Sequence, residues 1–435
     1  MSPASASRKA TTDSPNGLRG GEGTWQRRRG GDGAAALVVF ALVVVAINVA
    51  GSGCSSAPPS SDRAPAAGGL TVTSLLGGAT EGGEEGREAV GGTDVAEFAR
   101  ANAPRPFTFP ADHGPHPAFR TEWWYFTGIV RGRSAGGSPR RFGYQFTIFR
   151  QALTADRPSR DSAWATREVY MAHLGISDLD GDPARPRFHA FQRFSRDGLA
   201  LAGAQVSPFA VWVDSWRMES TRRQAPPLDD IFPLRLRARE SPAPHDAALS
   251  PDPTGAAIDF SVGAGRGPVL QGDHGWSVKG AGAGNASFYY SCTRLPTRGR
   301  LTIGTEIIDV EGTSWLDREW STSALAPDVV GWDWAGAHLD DGRDLMFYRL
   351  RTRSGGVAPA SRVTLIDPDG GTRTFAPDAF ALIANGQWSS PDGNAHYPAA
   401  FRLQIPAAAV DLTLRPMLSD QELRLAVRYW EGAVA

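Results

Sequence analysis

The chain has little that could hold a fold together covalently: 435 residues carry only two cysteines, Cys54 and Cys292. No disulfide framework can be built from them, and Cys292, beside Tyr289, Tyr290 and Ser291 in a strand-like run, reads as a small packing residue. No charge of either sign dominates. Lys and Arg number 45 against 46 Asp and Glu, which removes the electrostatic footprint of a nucleic-acid partner. No long stretch has helical period, which excludes a helical bundle. There is no Gly-x-Ser-x-Gly elbow, and the strand-turn-helix setting of that motif is foreign to an all-β chain, so serine hydrolysis gets no support from the residues. Paired metal ligands are missing too. His113 and His116, with Asp112 or Glu122, are of the right type but sit on a Pro-Gly loop without a second close pair, and His173, His189, His274 and His338 are scattered singly; no metal and no cofactor is expected.

Only one long apolar run exists, Ala34 to Ala50, about 17 residues broken by Asn48 alone and preceded by Arg27, Arg28 and Arg29. That is a basic region followed by an apolar one, short for a spanning helix of ~20 residues. Small residues follow at once, Gly51-Ser-Gly-Cys54, and resemble a bacterial lipoprotein cleavage site. Residues 1–54 are therefore read as a signal peptide lipidated at Cys54, with an uncleaved membrane anchor as the alternative. Either way the rest lies in the cell envelope, tied to the membrane through a lipid or an anchor. Residues 55–103, rich in Ser, Pro, Ala, Gly and Glu and nearly free of aromatics, form a disordered linker.

What the chain does have is 50 Gly, 32 Pro and 13 Trp, the composition of strands joined by many turns. From Phe107 onward short alternating runs recur: Phe142, Tyr144, Phe146 and Ile148; Phe209, Val211 and Val213; Ile258, Phe260 and Val262. Turn signals stand between runs at Asp180-Gly181, Asp197-Gly198, Asp341-Gly342, Asp369-Gly370-Gly371 and Asn385-Gly386. This predicts an all-β protein of antiparallel hairpins. Trp124-x-Phe126-x-Gly128 is echoed 208 residues later by Trp332-x-Trp334-x-Gly336, which points to two similar halves. With the boundary at Leu295 to Gly299, the halves are residues 104–296 and 297–435, each long enough for a barrel of about eight strands around one small apolar ligand.

Two stretches carry candidate chemistry. In Asp112 to Gly128 the first half is loop and the second a strand, which puts Glu122, Trp124 and Phe126 on one face. A carboxylate against an aromatic wall is either a proton donor with a raised pKa or half of a buried ion pair, with Arg120 or Arg150 as the partner. In Gly312 to Ser323, extension puts Trp315, Asp317 and Glu319 on one side and Arg318 and Trp320 on the other. Two carboxylates so close repel when both are ionised, so one should keep a proton.

The run Asp-His-x-x-His to Glu-Trp-Trp-Tyr-Phe-Thr-Gly, together with Trp315-Leu-Asp-Arg-Glu-Trp320, resembles the bacterial family that groups carotenoid 1,2-hydratase with AttH and secreted proteins labelled hydrolases. The resemblance covers roughly residues 104–435. It implies two tandem lipocalin-like (calycin-type) antiparallel β-barrels, and a ligand that is an apolar isoprenoid, carotenoid or lipid. It also implies acid-catalysed hydration of a double bond, because in the hydratases an aspartic acid of a Tyr-x-Asp motif is thought to protonate the alkene; Trp315-x-Asp317 matches that position. The hydratases' preceding His-x-Trp is absent here, where the strand reads Ser287-Phe-Tyr-Tyr-Ser-Cys292. On this basis Asp317 is the expected proton donor, Glu319 its tuning partner and Tyr290 a hydroxyl neighbour. Trp315, Trp320, Glu122, Trp124, His113, His116 and Trp332 are expected to contact the ligand. A non-catalytic lipid or pigment carrier of AttH type is the competing expectation.

Overall fold

The computed structural model describes residues 38–45, 97–155, 162–222, 230–240, 255–322, 325–326, 328–393 and 395–435. Cys54 and all but the last residues of the expected linker lie outside the described residues. Among those described, no helix is long and apolar enough to cross a membrane.

Antiparallel strands are almost the whole of the regular secondary structure among the described residues, as the period-two pattern requires. After β1 (Val38–Val45) come β2 (Thr121–Arg133), β3 (Pro139–Ala152), β4 (Glu168–Asp178), β5 (Phe188–Arg196), β6 (Ala202–Gln205), β7 (Ala210–Val213), β8 (Trp216–Ser220), β9 (Leu234–Glu240), β10 (Ala256–Val262), β11 (Pro268–Leu270), β12 (Trp276–Val278), β13 (Ala286–Ile303) and β14 (Glu306–Ser321). The first sheet runs β5-β4-β3-β2-β14-β13-β10-β9-β8-β7-β6, with β11 and β12 added on β13. It curls on itself: Arg193 of β5 reaches Glu240 of β9 at 2.9 Å, and the Phe146 and Trp216 rings meet at 6.0 Å. The even-numbered residues of β2, β3 and β4 fill the space enclosed, among them Trp124, Phe126, Tyr144, Phe146 and Leu174. Tyr144 can cross this core because its partner is Gly128, where an added Cβ would stand 2.7 Å from the tyrosine ring.

The second half contributes β15 (Val329–His338), β16 (Asp344–Thr352), β17 (Arg362–Ile366), β18 (Thr372–Phe375), β19 (Ala381–Ser389), β20 (His396–Ile405), β21 (Val410–Leu414), β22 (Glu422–Arg424) and β23 (Arg428–Val434). A seven-stranded sheet, β18-β17-β16-β15-β1-β23-β22, and a three-stranded one, β19-β20-β21, close around Phe347, Leu365, Phe401, Leu403 and Trp430. The result is the second lipocalin-like barrel. Val38–Val45, inside the apolar run expected as leader, lies between β15 and β23, with Leu42 opposite both Trp334 and Glu431.

The repeat shows as matching hairpins: Gly128 faces Tyr144 between β2 and β3, and Gly336 faces Met346 between β15 and β16. Two sequence expectations move. Leu295 to Gly299, expected as the boundary, lies inside β13, where a bulge after Cys292 absorbs the irregularity around Pro296; the first sheet ends at Ser321 and the next strand begins at Val329. Asn385-Gly386, expected as a turn, lies within β19, and Gly386 takes its positive φ of 67° there as an interruption of the ladder.

Candidate functional site

The outward face of the first barrel packs against the second sheet, and the chemistry collects between them. Alternation sends Tyr289 and Ser291 of β13, Trp315, Asp317 and Glu319 of β14, and Trp123 and Tyr125 of β2 to this side. Trp332, Trp334, Tyr348 and Leu350 oppose them from β15 and β16.

Asp317, 5% exposed, accepts three hydrogen bonds: from Tyr289 Oη on Oδ2, and from Ser291 Oγ and Trp315 Nε1 on Oδ1, each at 2.6 Å. Its pKa is raised to about 7: burial pushes it up, the three donors pull it part of the way back, and the charge of Glu319 adds a smaller upward push. Desolvation, rather than repulsion between the two acids, is thus the main reason for a proton at Asp317. Trp334 Nε1 donates to the Tyr289 oxygen at 3.0 Å, and Gln271 Nε2 donates to Ser291 Oγ at 3.0 Å. The Tyr289 phenol is held well above its ordinary pKa by burial and by the Asp317 and Glu319 charges, so it keeps its proton.

Glu319 is balanced by Lys279 at 3.0 Å and accepts from Ser287 Oγ at 2.5 Å. Burial works against the lysine's charge, but Glu319 beside it holds the pKa above the ordinary value. The ammonium also lies 4.3 Å from the Tyr348 ring centroid. A small cavity of about 50 Å³ opens here, walled by Trp123, Lys279, Tyr289, Glu319, Trp332, Trp334 and Tyr348. Asp317 is not on its wall; Tyr289 is. A second buried acid, Glu431 of β23, lies against the hydroxyls of Tyr125 and Tyr429, and burial raises it to about 8 while those hydroxyls pull it down. Tyr429 is hydrogen-bonded to His173 Nδ1 at 2.6 Å, and burial alone depresses that histidine to about 3, leaving it neutral.

Of the residues expected from sequence, the structure brings Trp315, Asp317, Glu319 and Trp332 together here. It places the others inside the first barrel. Tyr290 points away from Asp317 and bonds His113 Nδ1 at 2.6 Å, so the hydroxyl neighbour of Asp317 is Tyr289, one residue earlier on the strand. Trp320 stacks on His116 at 3.7 Å, and Trp124 Nε1 donates to the His113 carbonyl at 2.9 Å. Glu122 sits between the guanidinium groups of Arg150 and Arg318, all three fully buried, and accepts from His116 N at 3.0 Å. Burial alone would raise its pKa, but the two arginines hold it well below the carboxylate range, so the ion-pair alternative stands and the proton-donor one falls. Burial, then the Arg318 charge, depresses His113 to about 3. Cys292 is buried in the same barrel's core.

Tyr289, Ser291, Lys279, Trp334, Tyr125 and Glu431 were not singled out by sequence reasoning. Tyr289 and Ser291 had a usable signal, since they alternate with Tyr290 on a strand whose register against Asp317 decides which of them faces it. Lys279 and Glu431 had none, because nothing local marks a charge that tertiary packing buries.

A family model described as AttH-like matches residues 100–435. The crystal structure of a protein from Nitrosomonas europaea assigned as an AttH superposes with a TM-score of 0.63 at 32% identity, covering 78% of this chain and 94% of that one. Kievitone hydratase from Nectria haematococca superposes with a TM-score of 0.51 at 15% identity over the same shares, a likeness of fold. No curated protein matches the chain.

Proposed function

Since the chain belongs to the AttH-like family, we propose that it adds water across a carbon-carbon double bond of an apolar, isoprenoid or lipid-like molecule, with Asp317 and Tyr289 as the acid. Asp317 carries the proposal: a carboxyl that titrates near neutrality, bonded to a phenol that faces a cavity walled by aromatic rings.

With Asp317 protonated on Oδ2, that proton faces the Tyr289 oxygen, which already accepts from Trp334. The phenol's own hydrogen is then turned into the cavity. It passes to the less substituted alkene carbon as the Asp317 proton moves onto the phenolic oxygen, leaving a tertiary cation on the substrate. Trp123 and Trp332 wall the cavity in which that cation forms, and a ring face turned to it is worth about 1 to 2 kcal/mol when desolvated, while the Glu319 charge is already balanced by Lys279. Water adds to the cation, and its surplus proton returns through Tyr289 to the Asp317 carboxylate. The acid is restored, and no external reductant or oxidant enters.

The small volume beside Tyr289 favours a second reading, a carrier whose ligand is bound elsewhere and left unchanged. The proposal also places the folded part in the cell envelope, held by lipid on Cys54, on the strength of the N-terminal sequence; an anchor in Ala34 to Ala50 would need the residues that pair as β1.

The test incubates the full chain and Asp317→Asn with geranylgeraniol and reads products by mass spectrometry. Wild type is expected to return the alcohol with one added water and the variant to return it intact. The intact alcohol recovered bound to both would make the protein a carrier, and no binding to either would remove the apolar site itself.

A further inference from the structure

The cavity beside Tyr289 holds too little for an isoprenoid, and the register of the first sheet shows where the remainder fits. One cross-strand row runs perpendicular to the strands along the outer face: Tyr289, Glu319, Trp123, Phe149, Met171, Phe194, each directly opposite the next. Five steps at ~4.8 Å make it roughly 24 Å long. It starts at the proposed acid, turns apolar at Trp123 and ends on Phe194, which is 46% exposed at the sheet's edge.

Along the outer half of this row lies a cleft of about 540 Å³, walled by Phe149, Val169, Met171, Phe194 and Leu201. That volume falls within the range of small-molecule sites. Trp123 stands between it and the inner cavity: its ring walls that cavity and packs at 6.4 Å against the Phe149 ring, so a chain reaching Tyr289 from the cleft has to part these two rings. The outer mouth is also where exposed apolar side chains gather. Leu201 lines it, and Leu199, two residues before it and also exposed, bonds through its amide to the carbonyl of Ala163, next to exposed Trp164. Arg196 reaches over the Trp164 ring.

We infer that this cleft is the tail subsite of the hydration site: it takes a long, extended apolar chain, end in, so that the terminal double bond passes Trp123 and meets Tyr289 while the rest lies over Phe149, Met171 and Phe194. The inference rests on the proposed reaction for the identity of the inner end. It adds that the substrate is a chain much longer than one isoprene unit, drawn in from an apolar phase at the Phe194–Leu201 mouth.

The experiment measures calorimetric binding of geranylgeraniol and of prenol to the full chain carrying Asp317→Asn, which cannot turn them over. Phe194→Asp and Phe149→Ala are added in turn, with thermal midpoints taken as a folding control. Geranylgeraniol is expected to bind at least about tenfold tighter than prenol, and that ratio to collapse towards one in both added variants. Phe194→Asp, at an exposed position, keeps the test alive if Phe149→Ala fails to fold. Equal affinities for the two probes, or a ratio that neither variant changes, would overturn the subsite. A chain-length preference without hydrated product from wild type leaves the subsite standing and removes the hydratase, whereas product formed without that preference does the reverse.

Discussion

In the proposed reaction Asp317 and Tyr289 act as one unit, and substitutions should show it. Tyr289→Phe keeps the ring and removes the hydroxyl that joins Asp317 to the cavity, so hydration should fall by ~10²-fold or more, close to the loss in Asp317→Asn, and the double variant should lose little beyond either. Independent, multiplying losses would mean that Asp317 reaches the substrate without the phenol. The donor must be protonated, so the rate should be flat at low pH and fall as pH rises through about 7. The same proton appears in stability. The folded state holds protons on Asp317 and Glu431 up to about pH 7 and 8, whereas in the unfolded chain these groups release them near their ordinary values of 3.8 and 4.5. Between those limits the folded state binds more protons, so stability is greatest at the low end and declines as pH rises. Asp317→Asn with Glu431→Gln should flatten the fall in urea midpoint between about pH 5 and pH 8; an unchanged slope would mean that neither acid is protonated in the fold.

At the scale of the strand, alternation decides what could be read ahead of the structure. Two residues apart on an extended backbone share a face, and that alone groups Glu122 with Trp124 and Phe126, and Asp317 with Glu319. It cannot say which neighbouring strand faces which. Tyr290 and Tyr289 differ only in which sheet face they meet, so the sequence alone does not decide between them, nor does it show that the body of β14 separates Trp320, His113 and His116 from the pocket. Glu122 was legible to the point of naming Arg150 as partner; Arg318, on β14, was not, because a strand almost two hundred residues away leaves no local trace. Glu122→Gln would leave the buried Arg318 guanidinium without its carboxylate and Arg150 with Glu168 alone, and about 3 to 5 kcal/mol of stability should go with it, read from chemical denaturation. Tyr290→Phe removes one hydroxyl contact of the same barrel and should cost about 1 kcal/mol. If Glu122→Gln instead abolished hydration at undiminished stability, the first barrel's interior would be the reaction site and the interface between the barrels would not.

For the whole molecule the decisive segment is Val38–Val45. A run removed ahead of Cys54 cannot also be a strand of the mature barrel, so the leader expected from sequence and β1 between β15 and β23 exclude each other in one processed chain. The register sets what removal would do. Both neighbours are antiparallel to β1, so β15 and β23 run parallel to each other, and closing over the gap would create a parallel pair in sheets that are otherwise antiparallel. Parallel pairing is only slightly weaker per residue, and the approach needed is about one strand spacing, ~5 Å. The expected outcome is a processed chain whose first residue is a lipidated Cys54 by intact mass, with the amides of Trp332 to Ala337 and Trp430 to Ala433 still slow to exchange with deuterium. Fast exchange there in a chain starting at Cys54, and slow exchange in the full chain, would make the second barrel dependent on β1 and count against removal of residues 1–53. The wall of the proposed site gives this weight, because Trp332 and Trp334 stand on β15 and Glu431 on β23, the two strands that β1 holds apart.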